Sequence, residues 1–225
     1  MESDDFSKAK ERAFRCVEVT EEVATYRSRL IIRDLTQEDL KPRDYVSIKW
    51  EIDFARPDSY HVTQVAYPYG ELDEWVSIGQ EHYQGIGLWA ELPEARNDEL
   101  NLFLLADKWL EILQVADPVS AHVYRYREEH YLLLEYTVRT VRELERFAGY
   151  FEETSSVLNS RGQIHVWVDL KTDRLTKGEL VIQDQDSDSE HIHYEFQQVF
   201  TNYNMDIRIT APPIGLGPAQ EKSGI

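Results

Sequence analysis

Cysteine is nearly missing from this chain. Cys16 is the only one in 225 residues, so no internal disulfide can brace the fold. Basic residues are also scarce, with 24 Lys and Arg against 42 Asp and Glu and a formal net charge of -18. That balance excludes a nucleic-acid partner, because phosphate binding needs clustered cations. It also opposes adsorption to an anionic membrane surface. No stretch approaches the ~20 consecutive apolar residues of a membrane-spanning helix. The start, MESDDFSKAKER, lacks the apolar run of an export signal.

Catalytic signatures are missing too. There is no G-x-S-x-G elbow, no P-loop and no G-x-G-x-x-G following a strand. Gly85-Ile86-Gly87 is too short to cradle a phosphate and reads as a turn. Cys16 falls on the apolar side of a helical stripe, which suits a buried, inert thiol. No carboxylate pair stands out by spacing. The expectation is a protein with no catalytic residues, no cofactor and no resident metal.

What the sequence does carry is alternation. Val46, Ile48, Trp50, Ile52 and Phe54 share one face of a strand spanning 45–54, with Ser47, Lys49, Glu51 and Asp53 on the other. Further strands are predicted over VATYRSRLIIRDL, from Tyr60, in EWVSIGQEHYQGIGLWAEL, over 121–127, 131–138 and 192–201, and near 205–209. GQIHVWVDLKTDRLTKGELVI, residues 162–182, reads as a hairpin. Ile164, Val166 and Val168 lie on one face, and His165 and Trp167 on the other. Both faces are at least half apolar, so something covers each of them. Helical spacing appears from Phe6 to Val17, from Leu100 to Val115 and from Arg142 to Ser156. In the second of these, Leu102, Leu105, Trp109, Ile112 and Leu113 form one broad apolar stripe, capped by Asn97 or Asp98 and ended by Asp117-Pro118. The predicted organisation is one domain over 1–213 with a flexible tail over 214–225, the end of a stretch from Ala211 to Ile225 that holds three prolines and three glycines.

Two polar clusters were weighed as ion sites. Asp184, Asp186, Asp188 and Glu195 fall at positions 1, 3, 5 and 12 of a calcium-loop pattern. The sixth position is Ser189 rather than glycine, and the flanks read as strands, so an acidic, solvated turn fits better. His191, His193 and Glu195 share one strand face, which also suits a solvated outer surface.

The order of elements resembles the LolA-like superfamily, and within it the LppX/LprG-type lipoproteins. The similarity rests on Tyr83, Gly87 and Trp89, on Gly162, Val166, Trp167, Asp169, Thr172 and Leu175, and on Phe200, Tyr203, Asn204 and Pro212. The resemblance implies an α+β fold: a curved antiparallel half-barrel of about ten strands with helices covering its concave face. It further implies an apolar cavity between sheet and helices that holds a lipid or an acylated cargo, in a non-catalytic carrier. The residues expected to line that cavity are Val46, Ile48, Trp50, Ile52, Trp75, Trp89, Leu102, Leu105, Trp109, Ile112 and Trp167. The other reading is an envelope interaction or stress-sensing module whose interior is closed and whose acidic surface binds a partner. Either implies an extracytoplasmic location, with an export segment removed, and allows transient contact with a membrane or a protein. The oligomeric state is not legible. Cys16 sits inside the first helix rather than before it, so a lipid anchor does not follow from the resemblance.

Overall fold

Alternation of apolar and polar residues, the strongest signal in the sequence, becomes one large sheet. The computed structural model describes residues 8, 11–12, 14–16, 18–20, 22–36, 47–86, 88–92, 106–144, 151, 155–184 and 191–214. Its strands are β1 (Thr25–Asp34), β2 (Ser47–Ala55), β3 (Ser59–Tyr67), β4 (Glu71–Ile78), β5 (Glu81–Ile86) and β6 (Leu88–Glu91). They continue with β7 (Asp117–Tyr126), β8 (Glu129–Val138), β9 (Arg161–Asp169), β10 (Arg174–Gln183) and β11 (Ile192–Thr201). All eleven form a single sheet in the order β6-β5-β4-β3-β2-β1-β11-β10-β9-β8-β7. Every neighbouring pair is antiparallel. The join between β1 and β11 fuses an N-terminal meander to a C-terminal one, with Leu30 facing Gln198 and Ile32 facing Phe196.

The half-barrel expectation fails here. The sheet is open and not strongly curled, and β6 and β7 remain at opposite ends of the order. Strong curvature needs bulges and kinks repeated along the strands. Among the described pairs, register shifts occur only at Ile182/Gln183, Leu175/Lys177 and Pro118/Ser120, all in the C-terminal meander. The protein is also more nearly all-β than α+β. Among the described residues no set of helices lies across the sheet. The helix Ala106–Val115, ten residues long, seats at one place on the sheet.

That place is fixed by a glycine. A Cβ on Gly178 of β10 would lie 2.3 Å from the Trp109 ring, so only glycine lets the indole lie flat on the strand. Trp109 Nε1 donates to Gln198 Oε1 at 2.8 Å, and Gln198 Nε2 donates to Ser28 Oγ at 2.9 Å. This buried relay ties the helix to β11 and β1 and leaves each polar group satisfied.

The remaining helical spacing is met in part. Described residues between 8 and 20 are helical and bury Cys16 and Thr20. Arg12 clamps them to the β9–β10 turn through Asp173 Oδ1 at 2.8 Å and the Leu170 carbonyl at 2.6 Å. Burial pushes the Cys16 thiol up to about 12, which makes it inert as expected. Residues 141–143 and 156–159 form short 3₁₀ turns where a helix was predicted over 142–156, and 145–150 lie outside the described residues. The strand predicted near 205–209 is replaced by an extended strap. It is held to the start of β1 by Asn204 N–H to the Thr25 carbonyl at 2.8 Å and by Thr25 Oγ1 to the Met205 carbonyl at 2.6 Å. Its far end, Ile214, bridges Trp89 of β6. The rest of the predicted tail lies outside the described residues.

Candidate ligand-binding face

The register places the core-facing side chains of the N-terminal meander in cross-strand rows. One row runs Ser28, Ile52, Val62, Trp75, Gln84 and the next runs Leu30, Trp50, Gln64, Asp73. From β2 outward each row passes from apolar to polar. Ile52 and Val62 are fully buried, and Trp50 and Trp75 nearly so. The two indoles meet edge to face with centroids 6.3 Å apart. Such a pair contributes about 0.5–1.5 kcal/mol beyond its buried area.

Polar groups border these tryptophans. Trp50 Nε1 donates to Gln64 Oε1 at 2.6 Å, and Gln84 Nε2 donates to Asp73 Oδ2 at 2.6 Å. Trp75 differs. Its Nε1 is buried, and among the described residues it has no hydrogen-bond acceptor. An orphaned indole N–H costs about 1–3 kcal/mol, so the fold retains it against a penalty. The arrangement is an apolar floor with a half-buried amide and carboxylate rim, plus one unused donor where the two meet.

The anticipated lining residues divide three ways. Ile48, Trp50, Ile52 and Trp75 share the inner face of the N-terminal meander, while Trp109 and Ile112 join the same core over the C-terminal one. Trp89 and Trp167 are carried on the opposite face. Trp89 pairs with Gly85 and helps enclose a cavity of about 260 Å³ under the strap, with His61, Glu74, Arg208 and Pro212. Trp167 stacks on Lys177 Nζ at 4.3 Å and on the His165 ring at 5.8 Å. So the second apolar face of the 162–182 hairpin is covered by its own cross-strand neighbours. Val46, Leu102 and Leu105 lie outside the described residues. Gln64, Asp73 and Gln84 were not anticipated. Gln64 follows Tyr60 and Val62 at every second residue, and a polar side chain in core register is the signal that could have marked it.

On the outer face of the C-terminal meander, His165 Nδ1 sits 3.1 Å from Glu179 Oε2 and His165 Nε2 sits 3.7 Å from Glu135 Oε1. The His165 hydrogen bond, helped by Lys177, holds the Glu179 carboxyl below its usual 4.5. Some residues of the two ion-site patterns are held in other pairings. Asp184 pairs with His193 Nε2 at 2.6 Å and Glu195 with Arg33 at 2.8 Å, while Asp186 and Asp188 lie outside the described residues. Among the described residues no His, Cys, Asp and Glu group is suited to a metal ion.

With this geometry in hand, likeness to known structures can be stated. The lipoprotein LppX of Mycobacterium tuberculosis superposes with a TM-score of 0.58 at 10% identity, over 91% of this chain and 99% of that one. LprF from Mycobacterium bovis gives 0.56 at 10% identity, over 92% and 97%. The chain shares its fold with LppX and LprF. A LolA superfamily protein from Nitrosomonas europaea is a looser match, at 0.35 and 9% identity over 87% and 94%. No family model matches the sequence, and no curated protein compared with it does. At such low identity the likeness establishes the fold alone.

Proposed function

We propose that this protein is a non-catalytic, extracytoplasmic carrier of a lipid or an acylated cargo, nearest in type to the LppX/LprG-like lipoproteins. The observation that carries the reading is the buried, unaccepted Trp75 N–H on an apolar floor with a polar rim. An amphiphile matches that surface. Its chain would take the place of what now covers Ile48, Trp50 and Ile52, an oxygen at the base of its head would accept from Trp75, and the head would meet Gln64, Asp73 and Gln84. Each buried methylene contributes about 0.8 kcal/mol, so a long acyl chain supplies the affinity and the polar contacts supply orientation. Leu102, Leu105 and Val46 remain candidates for the lining. The likeness in fold to LppX, a lipoprotein, supports the same reading.

Native mass spectrometry of gently purified protein, followed by uptake of a fluorescent acyl probe after delipidation, tests the proposal. Retained lipid and saturable uptake are expected. Trp75→Phe keeps the ring and removes the donor, and should weaken probe binding by about 5–10-fold, the worth of one hydrogen bond. A bare chain that takes up no probe would sink the carrier. One observation favours the second reading, an interaction module with a closed interior. The floor of the C-terminal meander is filled by the protein's own side chains, with Ile164, Val166, Leu180 and Phe196 fully buried. Failure of uptake together with salt-sensitive capture of a basic protein partner would select that module.

A further inference from the structure

The two edges of the sheet are unlike each other. β6 has four residues, and its outer side is bridged by Ile214. β7 has ten residues and is the terminal strand on the other side. Its first residues are protected by Pro118 and by the register shift between Pro118 and Ser120, both common ways of blunting an edge. From Ser120 to Tyr126 there is no proline, no lysine and no further shift, and among the described residues β7 has no strand partner other than β8. Along this edge Val119 is 60% exposed, Val123 is 63% and Tyr126 is 58%. Val115, at the end of the helix that leads into β7, adds another exposed valine. An edge that offers unpaired backbone groups beside exposed valines is a template for a further strand.

We propose that β7 is a homodimerisation edge, at which a second copy of this chain adds its own β7 antiparallel and extends the sheet across a two-fold axis. Charge selects the occupant. The strand and its turn run from Asp117 at one end to Arg125 and Arg127 at the other. An antiparallel copy brings each acid toward the other copy's arginines, whereas a parallel copy would set like against like. Elsewhere the chain is heavily acidic, so self-approach is opposed. This segment, 117–128, balances Asp117 and Glu128 with Arg125 and Arg127, so it is where two copies of an otherwise acidic chain can meet. The result is an isologous interface in a sheet whose neighbours are already all antiparallel. It does not depend on the carrier reading.

Sedimentation velocity of the full chain at increasing concentration should show a monomer–dimer equilibrium. Raising salt should tighten it, because overall repulsion is screened while backbone hydrogen bonds are not. Val123→Lys should raise the dimer Kd by about tenfold or more, and Val123→Thr should leave it within about threefold. A two-fold antiparallel pairing sets one position opposite itself. In a scan of Ala121→Cys, His122→Cys and Val123→Cys, a position at the axis should therefore form an intermolecular disulfide, and buried Cys16 should stay silent. A chain that stays monomeric at the highest concentration, or a dimer indifferent to Val123→Lys and uncrosslinked at all three positions, would overturn the proposal. Capture of an extended peptide on β7 without self-association would likewise overturn it.

Discussion

The two meanders share a sheet but treat their tryptophans in opposite ways. In the C-terminal half Trp109 lies flat on Gly178, and its N–H feeds a closed relay through Gln198 to Ser28. In the N-terminal half Trp50 and Trp75 stand edge to face, and one of the two N–H groups is left over. A satisfied, close-packed aromatic is a structural anchor. An equally buried aromatic whose donor has no acceptor among the described residues is stability set aside, and on the carrier proposal it is where a ligand would complete the hydrogen bonding.

The largest effect should come from breaking the anchor. Trp109→Ala removes the ring and orphans Gln198, and should cost about 3–5 kcal/mol in urea unfolding. Next, Gly178→Ala drives a methyl group into the indole and should cost about 1–3 kcal/mol, partly recovered when combined with Trp109→Leu. Trp75→Phe should behave differently. Removing a donor without a partner should change stability by less than about 1 kcal/mol, or raise it, while acyl-probe binding falls. A destabilisation as large as that of Trp109→Ala would show that the two halves do not differ.

The smallest effect concerns pH. The Glu179 carboxyl is held below its usual 4.5, first by His165. Its contribution is therefore complete above pH 4.5 and is lost as pH falls through the lower folded-state value. Glu179→Gln should flatten the acid limb of a stability profile below pH 4.5 and leave Trp75-dependent binding unchanged, because Glu179 lies on the opposite face.

Strands were the most legible part of the sequence. Val46 to Phe54 alternates without a break, and β2 follows it from Ser47 to Ala55. Ile164, Val166 and Val168 fall on the core side as their spacing requires. Half of the candidate floor was legible as well, because Ile48, Trp50 and Ile52 sit in core register. The polar rim was not. Gln64 and Gln198 interrupt apolar alternation, and nothing local distinguishes a buried amide with a partner from a surface residue. Trp167 was read opposite Val166 and Val168, but which of the two faces looks into the core could not be told from a strand that is at least half apolar on both.

Curvature was misjudged for a different reason. The half-barrel came from a resemblance in element order, and element order does not record how far each strand bends. Alternation is a local property, fixed by the geometry of successive Cβ atoms, so the sequence alone marked most of the strands, though not the strap over 205–209, and showed that neighbours pair antiparallel and that Cys16 is buried. The pairing of β1 with β11, the openness of the sheet, the seat of Trp109 on Gly178 and the isolation of the Trp75 donor arise between residues far apart in the chain. Those features were decided by packing, because contact between distant side chains depends on register and on available space, and no window along the sequence contains either.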